Sequence, residues 1–335
     1  MINYNEDRID GFLDYYRKMR TYGDCDPSYP ALNYICDRFE LNKEQRYWIA
    51  FLYGCTYCVP TTYYIYNEFP DFENVSVERL QRWWNENKHR LLFQTDRAKI
   101  KNFDIFVKIF ESYRDFIGSG TQEERFAKIT DYNDVKIYYF GRFSLYNYME
   151  SLHELCGLDN LPSGLNLKEA ESSRNGLCYA LGADEWITIH HQKSKEKINY
   201  LILHSALRSM KWLLEEENPD LEVNLWNMET VLCAYKKLFW GSRYFGYYID
   251  RMMEEIITME RNVPEGVDWD VLWDFREEFF IPELLGELHD WRGIRKDRMK
   301  LVIETSTILK PLEVLPNTTF KRKVQFTKVG DVYGL

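Results

Sequence analysis

The spacing of apolar residues in the stretch 224–257 restricts this chain to α-helices more than any other feature. Leu225, Met228 and Leu232 recur at intervals of three and four residues, which is the spacing that puts side chains on one face of a helix. After the break at Gly241, a second apolar row follows at the same spacing. The stretch therefore predicts a helical hairpin with its bend near residue 241.

A row of ionisable side chains runs beside the apolar face of the first predicted helix. Glu229, Cys233 and Lys236 occupy positions i, i+4 and i+7, so helix geometry puts an acid, a thiol and an amine on one flank. Arg243 and Asp250 continue the polar pattern in the second helix. Such a flank is ordinarily a solvated surface, but large aromatic residues surround these groups. Partly desolvated ionisable groups are candidates for chemistry.

The rest of the chain has the same periodicity, punctuated by helix start signals. Asn42 and Gln45 have the spacing of a capping box, and Pro60 can begin a helix. The sequence predicts a mostly α protein with little β structure, in which residues 1–302 form a compact multi-helix body with candidate lobes 1–160 and 161–302. Residues 303–335 are rich in Thr, Val, Phe and Pro and are expected to form an extended tail packed on the body.

The segment 172–176 combines residue types typical of a loop, and it runs directly into a predicted buried helix. Arg174 and Asn175 would then precede a helix N-terminus, which is well placed to hold an anion. The alternative is a turn and cap beside Cys178, with that cysteine buried and inert.

Charge and aromatic content limit the kind of partner this chain can bind. The net charge of −10 argues against nonspecific coating of nucleic acid. Basic clusters at 82–90, 97–101, 292–300 and 321–323 could still line a local cleft, although such clusters often serve solubility alone. The 25 Tyr and 10 Trp offer flat surfaces suited to planar ligands such as bases.

The sequence lacks the motifs that are typical of metal-binding, nucleotide-binding and membrane proteins. Seven Cys without a signal peptide indicate a reducing compartment. The Cys55-x-x-Cys58 motif has no second metal-binding pair, and the six His lack metal-ligand spacing. Glycine-rich nucleotide-binding motifs are missing, and no run of about 18 apolar residues could span a membrane. We therefore expect no bound metal, no nucleotide cofactor and no membrane association.

A resemblance to a known family covers nearly the whole chain. It is clearest in three segments, which are 33–68, 172–182 (SSRNGLCYALG) and 224–251. They are similar to the phage amino acid:DNA transferases, a family grouped with the α-glutamyl/putrescinyl thymine pyrophosphorylases. The resemblance implies an enzyme of DNA hypermodification in the cytoplasm of a phage-infected bacterium. It also implies a helical fold like that of helix-hairpin-helix DNA glycosylases, although a glycine-rich hairpin followed by a catalytic Asp is not clear in this sequence.

The same resemblance implies the two substrates. One is DNA containing 5-hydroxymethyluracil that a phage kinase has already pyrophosphorylated, which suggests a functional association with that kinase. The other is a free amino acid or polyamine, whose amine would displace pyrophosphate. No resident cofactor is implied, while a divalent ion such as Mg²⁺ could accompany the pyrophosphate.

Residue roles follow from this chemistry as expectations. Glu229 or Asp250 would take the proton from the incoming amine. Cys178 or Cys233 could add to C6 of the pyrimidine and help expel pyrophosphate, whereas direct displacement requires no thiol. The groups available to bind the base or the pyrophosphate are Arg174, Asn175, Lys236, Lys237, Arg243, Tyr247 and Arg251.

Two other classes of protein fit the same residues. A glycosylase-like module could bind modified DNA without altering it. A phage structural or interaction protein would fit the acidic charge, but it leaves the polar row on the predicted hairpin unexplained.

Overall fold

The computed structural model describes residues 6–71, 75–93, 102–113, 121, 124, 142–188, 198–240, 242–280, 295 and 299. Its α-helices are α1 (Glu6–Thr21), α2 (Ser28–Arg38), α3 (Lys43–Thr56), α4 (Val59–Glu68), α5 (Val77–Asn87), α6 (Phe103–Tyr113), α7 (Arg142–Cys156), α8 (Glu171–Leu181), α9 (Tyr200–Glu217), α10 (Leu225–Phe239), α11 (Tyr247–Asn262) and α12 (Asp270–Phe279). A short 3₁₀ helix, Asp184–Trp186, follows α8. The described residues contain no strand, so the predicted mostly α fold is confirmed.

Some sequence predictions fall outside the described residues. These are the expected extended tail 303–335 and the basic clusters 97–101 and 321–323, together with all but two residues of the cluster 292–300. In the part of the chain that is described, no helix combines the length and the apolar character needed to cross a bilayer.

The chain folds into two compact units, each assembled from separate stretches of sequence. Unit 1 comprises the described parts of Met1–Pro27, Leu161–Arg251 and Phe279–Leu335. Unit 2 comprises Ser28–Asn160 and Met252–Glu278. The chain changes from one unit to the other after residues 27, 160, 251 and 278. The lobes expected at 1–160 and 161–302 stay a prediction.

Several helices begin at the capping residues that the sequence contains. The Asn42 side chain accepts a hydrogen bond from the Gln45 backbone N–H, and the Gln45 side chain bonds the Asn42 N–H in return. This reciprocal pair is the predicted capping box. Pro60 lies in the first turn of α4, where its missing N–H costs nothing. Asn224 caps α10 by accepting from the Asn227 N–H.

Aromatic packing forms the core of unit 2. Trp48 on α3 lies 4.8 Å from Tyr113 between ring centroids, and Phe51 lies 5.4 Å from Tyr148 of α7. Trp48 and Phe51 are completely buried, and the Trp48 indole N–H donates to the Phe69 carbonyl. These tilted and edge-on contacts add to the hydrophobic stabilisation of burying large rings.

Unit 1 is organised by α8 and α10, with α1 packed against both. Met228 and Leu232, predicted to face the core, are completely buried. Phe12 of α1 meets Tyr235 of α10 edge-on at 5.3 Å. The two helices of the predicted hairpin are present, but α10 makes its main contact with α8 instead of α11.

Candidate active site

A glycine sets the distance between α8 and α10. A Cβ atom at Gly176 would lie 2.0 Å from the carbonyl oxygen of Leu232 and 2.6 Å from its carbonyl carbon. No other residue type permits this approach, because every other side chain begins with that atom. The contact brings the first turn of α8 beside the middle of α10.

Hydrogen-bonding side chains of the two helices meet beside this contact. The Ser173 hydroxyl donates to Glu229 Oε1 at 2.9 Å, and Cys233 Sγ lies 3.2 Å from the same oxygen. Lys236 Nζ donates to Ser172 Oγ at 2.6 Å. We call these five residues the α8–α10 polar group. The predicted row of acid, thiol and amine therefore exists on α10, and it is directed at α8.

An aromatic pair extends the group towards the surface. Lys236 Nζ lies 4.3 Å from the ring centroid of Trp240, a cation–π contact. The Trp240 indole N–H donates to the Tyr179 hydroxyl at 3.1 Å. Trp240 is 47% exposed, whereas Lys236 is 6% exposed. A flat aromatic surface thus lies next to a buried cation.

Burial shifts the pKa values of Cys233 and Lys237, both of which interact with Glu229. Desolvation, reinforced by the Glu229 charge, raises the pKa of the Cys233 thiol to about 12. Desolvation also lowers the pKa of Lys237 to about 8, with the nearby Arg243 charge acting in the same direction. The thiol is therefore protonated at neutral pH, while Lys237 loses its charge as the pH rises through 8.

The segment after α10 carries guanidinium groups against tyrosine rings. Arg243 lies 3.8 Å from the Tyr247 ring centroid and 5.7 Å from that of Tyr248. Arg295 lies 5.2 Å from the Tyr247 ring and donates to the Tyr247 hydroxyl at 2.9 Å. Arg251 is close enough to Tyr248 to influence its hydroxyl electrostatically. Arg243 and Lys237 interact electrostatically, so this cationic region adjoins the α8–α10 polar group.

Two buried carboxyl groups bond the segment that links α10 to α11 and the start of α11. Asp24 accepts hydrogen bonds from the backbone N–H groups of Gly246, Tyr248 and Ile249, at 2.8, 2.9 and 3.1 Å, and so caps the start of α11. Burial raises the pKa of Asp24 to about 8 in spite of these bonds. Asp250 is 2% exposed and accepts from the Tyr244 hydroxyl. Asp250 is therefore enclosed and hydrogen-bonded, and its expected role as a base stays a prediction.

Removing the Asp24 carboxyl group should be costly because three backbone N–H groups at the start of α11 lose their acceptor. We expect Asp24→Ala to lower the free energy of unfolding by about 3 kcal/mol. The matched control is Asp14→Ala, which removes an exposed i, i+4 ion pair with Lys18 and should change stability by less than about 0.5 kcal/mol. Urea denaturation of both variants measures the difference, and equal midpoints would contradict the capping role.

Three residues predicted for the site belong to the core instead. Arg174, Asn175 and Cys178 are completely buried. Arg174 donates to the Leu167 carbonyl at 2.9 Å and to Thr188 Oγ1 at 2.7 Å. Asn175 donates to the Thr188 carbonyl at 2.6 Å. These bonds hold the flanking segments against α8, and the anion site expected at Arg174 and Asn175 stays a prediction.

The predicted loop over residues 172–176 is also wrong, because those residues lie inside α8. Tertiary packing against α10 outweighs the local turn preferences of Ser, Asn and Gly. Burial raises the pKa of the Cys178 thiol to about 12. A protonated, enclosed thiol is a poor nucleophile, which favours the alternative of a buried and inert Cys178.

The sequence analysis missed Ser172, Ser173 and Tyr179. A signal for two of them is present, since Ser172, Gly176 and Tyr179 occupy positions i, i+4 and i+7. Read as a helix, the segment would have put these three residues on one face, with the glycine marking a close helix contact. Asp24 has no such signal, because its partners lie more than 200 residues away in the sequence.

Comparison with known proteins identifies the family of this chain. A family model described as "Amino acid:DNA transferase" matches residues 20–244. The chain belongs to this family. The phage-encoded "Serinyltransferase" of Salmonella phage ViI is 31% identical over 301 residues, covering 79% of this chain and 72% of that relative. The resemblance inferred from the sequence is therefore confirmed, and this amino acid:DNA transferase is an enzyme of DNA modification.

The region matched by the amino acid:DNA transferase family contains the whole α8–α10 polar group, together with Lys237, Trp240 and Arg243. It ends before Tyr247, Asp250 and Arg251. No solved structure matches the chain, so the expected likeness to helix-hairpin-helix glycosylases stays a prediction. Within the described residues of this transferase, no cluster of His, Cys, Asp and Glu could hold a metal ion.

Proposed function

We propose that this transferase attaches an amino acid to the 5-methylene carbon of pyrophosphorylated 5-hydroxymethyluracil in DNA. A bond forms between the amine nitrogen and the methylene carbon, while the bond from that carbon to the pyrophosphate oxygen breaks. Pyrophosphate leaves with the electron pair, and the nitrogen loses a proton. The observation that carries this proposal is the α8–α10 polar group, in which the Glu229 carboxylate and the Lys236 ammonium bond neighbouring serines of α8 within the family-matched region.

The base in this reaction is Glu229. It is half-buried and adjoins the cationic side chains, whereas Asp250 is enclosed and bonded to Tyr244. An amino acid amine is mostly protonated at neutral pH and becomes nucleophilic only after losing a proton. A carboxylate that meets the amine can accept this proton as the carbon–nitrogen bond forms.

The leaving pyrophosphate requires positive charge where negative charge develops. Lys236, Lys237 and Arg243 supply it in the proposal. Because the pKa of Lys237 is about 8, its charge is largely present at neutral pH. Its lowered pKa also indicates a poorly hydrated ammonium group, which interacts more strongly with an anion than a fully solvated one does.

Direct displacement fits the thiols better than covalent addition to C6. Burial raises the pKa of both Cys178 and Cys233 to about 12, and the thiolate is the nucleophilic form of cysteine. In the proposed reaction, neither thiol bonds to the pyrimidine. The target base would leave the helical stack before reacting, and the exposed face of Trp240 is a surface on which it could stack.

The name of the phage ViI relative makes serine the first amino acid to test. In the host cytoplasm, a phage kinase acting on 5-hydroxymethyluracil in DNA would supply the other substrate. The experiment combines pyrophosphorylated DNA, the protein and one nucleophile at a time, with and without Mg²⁺. Serine, glycine, glutamate and putrescine are compared.

We expect one of these nucleophiles to be incorporated into the nucleosides, with one pyrophosphate released for each. Nucleoside mass spectrometry and a pyrophosphate assay measure the two products. ¹⁵N-labelled serine followed by fragmentation tests whether the bond runs through nitrogen; attachment through oxygen would contradict the amine as nucleophile. DNA binding without pyrophosphate release would favour the alternative, a module that binds modified DNA without altering it.

A further inference from the structure

Two hydrogen-bond donors from different helices converge on one oxygen of Glu229. Ser173 Oγ on α8 lies 2.9 Å from Oε1, and Cys233 Sγ on α10 lies 3.2 Å from it. The two donors lie 4.0 Å from each other. Both use Oε1 and neither uses Oε2, so the carboxylate is held by one of its oxygens.

The direction of these bonds follows from chemistry. An ionised carboxylate has no proton to give, so the serine O–H and the cysteine S–H must be the donors. Burial and the Glu229 charge keep the thiol protonated. A protonated thiol can donate to the carboxylate, but it cannot attack the base as a thiolate. The position of Cys233 therefore fits a donor better than a nucleophile.

We infer that Ser173 and Cys233 are positioning residues that fix Glu229 through Oε1 and leave Oε2 to accept the proton of the incoming amino acid. This inference rests on the proposed function, in which Glu229 is the base. Charge-assisted hydrogen bonds restrict the rotation of the carboxylate. A base acts only within hydrogen-bond reach of the proton that it takes, so a fixed carboxylate keeps Oε2 where the amine arrives.

The geometry of the two helices explains why both residues are needed. Cys233 lies one turn after Glu229 on α10 and can restrain the carboxylate only along that helix. Ser173 reaches it from α8, whose distance is set by Gly176. Together the donors link the carboxylate to two helices that are in close contact at Gly176, which is how a rigid scaffold holds a reacting group in place.

The test compares pH–rate profiles of pyrophosphate release for wild type, Ser173→Ala, Cys233→Ala and Cys233→Ser. A hydrogen bond to a charged group contributes about 1.5 kcal/mol, which corresponds to about tenfold. We therefore expect each alanine variant to lose about tenfold in kcat at neutral pH. The acid limb of each profile should move about one pH unit higher, because the ionised carboxylate has lost a donor. Cys233→Ser keeps a donor and should retain most of the activity.

Two controls separate positioning from general damage. Ser205→Ala removes an exposed serine of α9, and Cys156→Ala removes a half-buried cysteine at the end of α7; both should keep the wild-type profile. Loss of activity in Cys233→Ser equal to that in Cys233→Ala would overturn the inference in favour of a nucleophilic thiol. Unchanged acid limbs in both alanine variants would overturn it as well.

Alkylation of Cys233 requires no catalytic turnover, so it tests the bond between Cys233 and Glu229 even if the proposed function is wrong. Alkylation of Cys233 at pH 8, followed by peptide mass spectrometry, reports how firmly the thiol holds its proton. Glu229→Gln removes the adjacent negative charge that disfavours the thiolate, and it should speed alkylation about tenfold. An unchanged rate would overturn the thiol–carboxylate bond, whether or not the protein transfers an amino acid to DNA.

Discussion

Gly176→Ala is expected to prevent the stable folding of unit 1. The added methyl group would lie 2.0 Å from the carbonyl oxygen of Leu232 and 3.1 Å from its Cα. Both are backbone atoms inside a helix, so relief requires α8 and α10 to move apart as whole elements. Overpacking of a core ordinarily costs about 1 to 3 kcal/mol, and a clash with backbone should exceed that range. We expect a loss above about 4 kcal/mol, or protein recovered only as aggregate.

Gly164→Ala is the matched control for this substitution. Gly164 is exposed, and a Cβ atom there would meet nothing within 4 Å, so stability should change by less than about 0.5 kcal/mol. Urea or thermal denaturation compares the two variants with wild type. Similar unfolding midpoints for Gly176→Ala and Gly164→Ala would contradict the close contact between α8 and α10, and with it the geometry of the α8–α10 polar group.

Glu229→Gln is expected to produce the largest loss of activity without loss of folding. The amide has the same shape, and its oxygen can still accept from Ser173 and Cys233, but it cannot take a proton at neutral pH. Loss of a general base ordinarily lowers the rate by about 10² to 10⁴-fold. Single-turnover release of pyrophosphate measures this loss directly, and circular dichroism confirms that the helices remain.

Glu185→Gln controls for the change of charge, because Glu185 is exposed in the 3₁₀ helix after α8. This control should release pyrophosphate at the wild-type rate. A Glu229→Gln variant within about threefold of wild type would remove Glu229 from the reaction. Asp250→Asn would then be the next variant to measure, since Asp250 is the other carboxylate expected from the sequence.

The features of the fold that could be predicted are those that depend on residues close together in the sequence. The capping box of Asn42 and Gln45 formed as expected, because both of its bonds join residues three positions apart. The row of Glu229, Cys233 and Lys236 could be predicted for the same reason, since helical periodicity alone aligns positions i, i+4 and i+7. Membership of the transferase family was also readable from the sequence.

The assignment of roles within the site could not be made from the sequence. Arg174 and Asn175 have the side chains of an anion site, yet they are completely buried against the segment ending at Thr188. Asp250 resembles a catalytic base in type, but its surroundings enclose it. Residue type describes which bonds a group can make, whereas burial and neighbours decide which bonds it does make.

The sequence by itself determined that this protein is helical and that one helix carries an acid, a thiol and an amine on the same flank. Only the tertiary structure decided what that flank faces. Gly176 allows α8 to approach α10, which supplies Ser172 and Ser173 as partners, and Asp24 caps a helix more than 200 residues away. The physical reason is that helix periodicity depends on neighbours within one or two turns, while hydrogen bonds and burial depend on which distant segments pack together.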